Sequence, residues 1–256
     1  MTTARRTGLI TLAIDIGGTG LKASALDASG KMLTERLRIP TPYPLPPARL
    51  VEQLHQLVQP VKTYDRVSVG FPGMVRSGVV ITAPHLVLEA GPGSKVDPKL
   101  VKAWSHFDLA NALAKALGKP TRVVNDADLQ GLDAASGKGL EVVITLGTGF
   151  GTAVLHDGQL APHMELSQHP FRKGENYDEQ LGDVTLKRIG AKAWSKRVHK
   201  AIAALDAVFI FDHLYIGGGN AVRVRGELAP NVTIIDPNAG LLGGIRLWQQ
   251  AHGMSM

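Results

Sequence analysis

The 256-residue sequence contains no cysteine, which excludes disulfides and every Cys-based zinc site and gives no sign of an oxidising compartment. No uncharged apolar run approaches the roughly 18 residues that a membrane helix needs. Residues 1–7 carry Arg5 and Arg6 but lead straight into a strand pattern, without the apolar core of a signal peptide. The expectation is a cytoplasmic protein with no membrane partner. Two familiar phosphate loops are missing as well: there is no G-x-x-x-x-G-K-[ST], and no G-x-G-x-x-G leads into a helix.

What is present is the composition of a globular protein, 44% hydrophobic and 20% charged. The length allows one large domain or two lobes of roughly 100 to 150 residues, each with its own core. A net charge of +6 and a pI near 9.6 favour an anionic partner such as nucleotide, polyphosphate or nucleic acid, although on most basic proteins such charge is only a solvated surface.

The stretch Asp15-Ile16-Gly17-Gly18-Thr19-Gly20-Leu21-Lys22 lies between two apolar runs of strand length, Leu9 to Ile14 and Leu21 to Leu26. A glycine-dense turn lets backbone N–H groups converge on an anion with no side chain in the way. Asp15 would repel that anion unless a cation such as Mg²⁺ sits between them, directly or through water. Asp15, the glycines and Lys22 thus read as a metal-phosphate cradle; the simpler alternative is an ordinary hairpin with solvated charges.

The pattern returns. Glu141 to Leu146 is followed by Gly147-Thr148-Gly149-Phe150-Gly151, then by strand and the turn His156-Asp157-Gly158; Gly17 and Gly147, like Asp27 and Asp157, are 130 residues apart. The spacing predicts two copies of one β-meander unit, with Leu9 to Asp27 and Lys31 to Ile39 making the first. Two glycine loops facing each other across a cleft could grip a polyphosphate from both sides. A third, Gly217-Gly218-Gly219-Asn220, ends the strand His213 to Ile216 and leaves room for something flat, such as a purine.

Between these motifs, helical spacing appears at Ala48 to Val58, and the strand Val67 to Val69 ends at Gly70-Phe71-Pro72-Gly73. Val79 to Thr82 reads as a strand, Glu89 to Pro98 as a loop, and Ser105 with Asp108 as a capping box for a helix Phe107 to Leu117. Strand Arg122 to Val124 delivers Asn125-Asp126-Ala127-Asp128 at its end, well placed for chemistry, with helix capping the equally simple reading. Ala161 to Asn176 is irregular and polar, and its His163 and His169 read as surface residues without a metal-ligand set. Tyr177 to Ile189 and Ala191 to Leu205 read as helices broken at Gly190. Lys192, Lys196 and Lys200 share one face at i, i+4; that face is solvated or guides a long polyanion. A C-terminal helix spans 239–251.

Four motifs in order, Asp15 to Lys22, Asn125 to Asp128, Leu146 to Gly151 and Gly217 to Asn220, resemble the ROK family of sugar kinases and regulators, in particular its polyphosphate glucokinase branch. The resemblance covers about Ile10 to Trp248. It implies an α/β fold of two ribonuclease-H-like (actin/hexokinase-type) lobes with an interdomain active-site cleft. The lobes would be 1–124, with the first phosphate loop and part of the sugar site, and 125–256, with the second phosphate loop and the adenosine motif; the C-terminal helix would be free to pack back on the first.

By the same resemblance Asp126 matches the catalytic base and Asn125 a ligand of a sugar hydroxyl. Gly17, Gly18, Thr19 and Lys22 match the first phosphate loop, with Asp15 organising Mg²⁺, and Gly147, Thr148 and Gly149 match the second. Gly217, Gly218 and Gly219 match the adenosine motif. Glu165 matches a carboxylate that binds the sugar, and Asp178 or Glu179 lies near a second. The implied reaction carries a phosphoryl group from polyphosphate and/or ATP to a hexose hydroxyl, most simply glucose to glucose 6-phosphate, with no zinc.

The chain departs from the family where the sugar is held. Gln168 stands where the E-x-G-H pattern has His, in Glu165-Leu166-Ser167-Gln168 followed by His169, and Pro84-His85-Leu86 replaces Pro-Asn-Leu. These changes favour, as the alternative, a catalytically weak or inactive sugar or nucleotide sensor. A DNA-binding regulator is disfavoured, since about eight residues precede the first strand, too few for a helix-turn-helix, so no nucleic-acid partner is expected. A homodimer is the ordinary prior.

Overall fold

The structure is a computed structural model and describes residues 8–235 and 239–250. Two compact units emerge: one runs to Asp126 and takes back the chain from Gly244 onward, and the other is Ala127–Gly243. Among the described residues no helix is long and apolar enough to cross a membrane.

The first unit opens with β1 (Thr11–Ile16), β2 (Gly20–Leu26) and β3 (Leu37–Pro40), followed by α1 (Pro47–Leu57) and β4 (Arg66–Phe71). Two short strands, β5 (Val75–Arg76) and β6 (Val79–Val80), precede α2 (Pro98–Trp104), β7 (Phe107–Asp108), α3 (Leu109–Leu117) and β8 (Thr121–Asn125). The main sheet has the order β3-β2-β1-β4-β8; β1, β2 and β3 pair antiparallel, whereas β4 and β8 join in parallel. Parallel neighbours need crossovers, and α1 and α3 supply them. Their apolar stripes, Leu50, Leu54 and Leu57 on α1 and Leu109, Leu113 and Leu117 on α3, join Leu12, Ile14 and Val69 in one core. Trp104 is 1% exposed and satisfies its ring N–H on the Leu45 carbonyl at 3.0 Å.

The second unit repeats this plan. After α4 (Asp126–Ala134) come β9 (Leu140–Leu146), β10 (Phe150–His156) and β11 (Gln159–Leu160). The small hairpin β12 (Pro170–Arg172) and β13 (Glu175–Asn176) leads into α5 (Tyr177–Leu181) and α6 (Asp183–Phe209), then β14 (His213–Gly217), β15 (Val232–Ile234) and α7 (Ala239–Arg246). The sheet order β11-β10-β9-β14-β15, antiparallel on one side of β9 and parallel on the other, is the order of the first sheet strand for strand. Trp194, Val198, Ala201 and Leu205 recur at helical spacing on α6 and pack with Ile144, Leu146, Leu214 and Ile216. On the other face of each sheet a helix glycine allows close approach. Gly131 of α4 lies against Val143, Ala153 and Leu155, and Gly244 of α7 lies against Ala13 and Ser68. Ser68 donates to the Gly244 carbonyl at 2.6 Å and accepts from the Trp248 ring N–H at 2.8 Å, and Arg66 and Arg122 stack on the Trp248 ring.

Several boundaries differ from the sequence reading. Only β3 from Leu37 is regular strand; Met32 makes a single bridge to Leu26. The loop read over Glu89 to Pro98 runs into an unforeseen helix, α2, with Asp97 as its cap and Pro98 at its first position. Ser105 does not cap α3; it closes α2, while Asp108 alone accepts from the Asn111 N–H. The strand Val79 to Thr82 shrinks to β6, and the helix expected to reach residue 251 ends at Arg246; residues 238 and 251 lie outside the described residues. The break at Gly190 is present, with φ 76° and ψ 157°, and a second separates α5 from α6 at Gly182.

Glu141, at the start of β9, is fully buried. It accepts from the N–H groups of Ser136 and Gly137 at 2.7 and 2.9 Å and from the Tyr215 hydroxyl at 2.9 Å. Burial would raise its carboxyl, but the Ser136, Tyr215 and Gly137 bonds hold it below the ordinary value of 4.5. A carboxyl lowered by folding lends stability that is complete above about pH 4.5 and is lost as the pH falls. Glu141→Gln sets an NH₂ donor against backbone donors; urea unfolding at pH 7 should show a loss of about 1 to 3 kcal/mol that shrinks in acid.

Candidate active site

The β1–β2 and β9–β10 turns are both glycine loops whose carbonyls are held by other groups of the protein. In the first, the Gly17 N–H donates to the Gly20 carbonyl at 3.0 Å, while Thr41 Oγ1 donates to the Gly17 carbonyl at 2.6 Å and the Tyr43 hydroxyl to that of Gly18 at 2.8 Å. Burial pushes the Tyr43 hydroxyl up to about 12, so it stays protonated, and its one proton is shared between the Gly18 carbonyl and the His85 carbonyl at 2.7 Å. In the second, the Gly147 N–H donates to the Gly149 carbonyl, and the Gly147 carbonyl accepts from the Asp183 N–H at 3.1 Å and from Asn220 Nδ2 at 3.1 Å. Asp178 Oδ1 accepts from the Phe150 N–H at 2.7 Å. Among the described residues the N–H groups of Gly18, Thr19, Thr148 and Gly149 donate to no protein acceptor. Backbone amides left to donate in a glycine turn suit a phosphate.

The two turns are not identical. Ile16 faces Leu21 across the first, but Leu146 faces Phe150 across the second, so the second loop is one residue tighter. Asp15 and Lys22 sit opposite each other on β1 and β2 and form an ion pair at 2.8 Å, both about one third exposed. Mg²⁺ bound with phosphates keeps several waters and needs only one or two protein carboxylates. Among the described residues no cluster of three or more metal-ligating side chains exists, so the donor set fits a magnesium ion arriving with its phosphates and steadied by Asp15, not a closed protein cage.

The third glycine motif packs backbone against backbone. Gly218 has φ 83°, and a side chain there would strike the Leu146 main chain. The Asn220 N–H donates to the Leu146 carbonyl at 2.8 Å. Gly217 to Asn220 thus lies beside the second loop, within the same unit.

Asn125 and Asp126 stand at the end of β8, where α4 starts. Asn125 is buried and donates to the Gly73 carbonyl at 3.0 Å and, more weakly, to that of Phe71, so its amide ties the β4 turn to β8. Asp126 is half-buried at the first turn of α4, where the helix dipole favours a carboxylate.

Around Glu165 the structure corrects the sequence reading. His163 is no surface residue: its side chain is 4% exposed, with Nδ1 3.2 Å from Asp128 Oδ1 and Nε2 3.8 Å from Glu165 Oε2. The second distance makes an ion pair and is too long for a hydrogen bond, and Nε2 has no other partner. Burial would lower this imidazole, but Asp128 and Glu165 overcome it and carry it to about 10; burial would raise Glu165, but His163 and Ser167 bring it below the ordinary carboxylate value. Asp128–His163–Glu165 is therefore a carboxylate–imidazolium–carboxylate row. Spacing gave no signal for it, because Asp128 and His163 are 35 residues apart.

The other expected sugar ligands have local partners. Gln168 Nε2 donates to Ser167 Oγ and its Oε1 accepts from Asn176 Nδ2. Glu179 completes a capping box with Asn176 at the start of α5, and Asp178 supports the second glycine loop. His85 lies beside Gly18.

A model of the ROK family matches residues 11–162, more than half of the chain. The chain belongs to the ROK family. Over 247 residues, 90% of this chain and 88% of the relative, it is 29% identical to polyphosphate glucokinase of Mycobacterium tuberculosis. It is 31% identical to N-acetylmannosamine kinase of Citrobacter koseri over 84% of this chain and 73% of that one. Among solved structures, the inorganic polyphosphate/ATP-glucomannokinase of Arthrobacter sp. strain KM matches with a TM-score of 0.79 and 30% identity, covering 93% of this chain and 97% of that chain. The ROK fold is thus shared, two α/β units of ribonuclease-H-like, actin/hexokinase type.

The imidazolium row makes a testable demand. A histidine raised from 6.5 to about 10 by folding lends stability that is complete below about pH 6.5 and is lost as the pH rises through about 10. Replacing it leaves two carboxylates buried together. His163→Ala should cost about 3 to 5 kcal/mol in denaturant unfolding at pH 7 and should flatten the alkaline fall in stability; an unchanged alkaline limb would show that the ring is not the titrating group.

Proposed function

We propose that this ROK-family sugar kinase transfers a phosphoryl group from inorganic polyphosphate and/or ATP to a hexose hydroxyl, with glucose to glucose 6-phosphate as the first candidate. The observation that carries the reading is the pair of glycine loops, each with carbonyls tied back and two amides left to donate. Phosphoryl transfer through a loose transition state asks the protein for alignment and charge stabilisation more than for a strong base. Gly18, Thr19, Thr148 and Gly149 supply fixed N–H dipoles for the phosphates, and Lys22 adds a cation. Mg²⁺, when bound with the donor near Asp15, would neutralise the phosphate oxygens. Gly217 to Gly219 take the adenosine when the donor is ATP.

Asp126 orients the acceptor hydroxyl and takes its proton as the bond to phosphorus forms. Glu165, held as a carboxylate by His163, accepts hydrogen bonds from the sugar, and Asn125 and His85 are further sugar ligands in this proposal. Relatives act on different sugars by name, glucose for one and N-acetylmannosamine for another, so the identity of the hexose belongs to the proposal. A sensor without turnover is the second reading; it is favoured by Gln168, which spends its amide on Ser167 and Asn176.

A hexose panel with Mg²⁺ and either ATP or polyphosphate, read as sugar phosphate formed, separates the two. Product is expected with at least one pair, and none at all would establish the sensor reading. Asp126→Asn should lower kcat by about 10²- to 10⁴-fold while sugar affinity, measured by calorimetry, stays close to wild type; full activity in that variant would end the assignment.

A further inference from the structure

We propose that a basic cleft formed by α6 and Arg172 of β12 is a second anion site, holding the distal part of a long inorganic polyphosphate chain away from the glycine loops. The proposal rests on the kinase reading in that polyphosphate is taken as a donor. The cleft has a volume of about 680 Å³ and is walled by Arg172, Lys192, Lys196, Arg197 and Lys200, with no carboxylate in its lining. Lys192, Lys196 and Lys200 are exposed and rise along one helix face at about 6 Å intervals, a row of evenly spaced cations.

The two arginines are better fixed than surface side chains. Arg197 is half-buried and reaches the Gln180 carbonyl, and Arg172 reaches the Gln180 side chain, both at 3.4 Å. Burial and the neighbouring charges of Arg172 and Arg188 push the Arg197 guanidinium down, opposed only by Glu175. Cations gathered this closely repel one another and gain most from a polyanion. The remainder of the lining, Ile189 and Ala193, offers no aromatic face on which a base could stack. That favours a chain of phosphates over a nucleotide or a nucleic acid.

The connection to the phosphate loop is direct. The first residue of α6, Asp183, donates its N–H to the Gly147 and Thr148 carbonyls, so the helix that supports the second loop also carries the lysine row. Between them Gly190 interrupts the helix, giving the basic segment its own direction. A chain whose reacting end lies at the loop would need several phosphates to reach the cleft, so tripolyphosphate and ATP should not feel it.

The test compares wild type with the triple variant Lys192→Gln/Lys196→Gln/Lys200→Gln, and with a control variant Lys99→Gln/Lys102→Gln/Lys115→Gln that removes equal charge from α2 and α3. Anisotropy of end-labelled long-chain polyphosphate, without sugar, gives affinity and its salt dependence; initial rates give KM for long-chain polyphosphate, tripolyphosphate and ATP. The α6 variant should bind the long chain about tenfold or more weakly with a salt slope lower by about two, at roughly unchanged KM for the short donors, and the control should match wild type. Equal weakening for long and short donors, no weakening, the same loss in the control, or displacement of the label by duplex DNA as readily as by unlabelled polyphosphate would each overturn the track. The anisotropy needs no turnover: a protein inactive with every donor that still loses long-chain binding in the α6 variant alone would refute the kinase reading and leave the cleft standing.

Discussion

Everything proposed for the donor depends on carbonyl groups being turned away from it. A glycine turn left to itself presents oxygens as readily as N–H groups, and an oxygen facing phosphate repels it. In the second loop the Gly147 carbonyl is captured by Asn220 and by the N–H of Asp183, and the strand that follows is fixed by Asp178 on the Phe150 N–H. In the first loop Thr41 and Tyr43 do the same for Gly17 and Gly18. The supporting residues differ completely, yet the outcome is one: two amides per loop that, among the described residues, donate to no protein acceptor.

That requirement explains the closeness of the packing behind the second loop. A side chain on Gly149 would overlap the Asp178 carboxylate, one on Gly182 would meet the Thr148 carbonyl, and one on Gly218 would strike Leu146. These glycines serve backbone approach and not flexibility. The loop, α5, the start of α6 and the third glycine motif form one packed assembly inside the second unit. Its base, β9, is anchored by Glu141, and its far end continues into the lysine row.

The duplicated plan was legible in the sequence because it is carried by local signals, strand, glycine turn, strand and Asp turn, at a fixed spacing. The register was not, since a spacing of 130 cannot show that Leu146 pairs with Phe150 one residue earlier than its counterpart Ile16 pairs with Leu21. Helix α2 escaped because Gly-Pro-Gly before it suggested continued loop, although Asp97-Pro98 is a start signal in its own right. Gly190 was readable as a break, since a glycine inside a helical pattern has few other uses. The His163 row and the roles of Asp178, Asn125 and Gln168 depend on partners distant in the chain or on which neighbour a side chain turns toward, and no pattern in the sequence encodes that choice.

Asp178 therefore offers the sharpest discrimination, because resemblance set it beside the sugar and the geometry sets it under the phosphate loop. Calorimetric titration of Asp178→Ala with glucose and, separately, with a non-hydrolysable ATP analogue and Mg²⁺ or with polyphosphate tests the account most directly. Donor affinity should fall by about tenfold, the equivalent of one lost charge-assisted hydrogen bond at about 1.4 kcal/mol, with glucose affinity unchanged. Loss of glucose affinity with donor binding intact would contradict it.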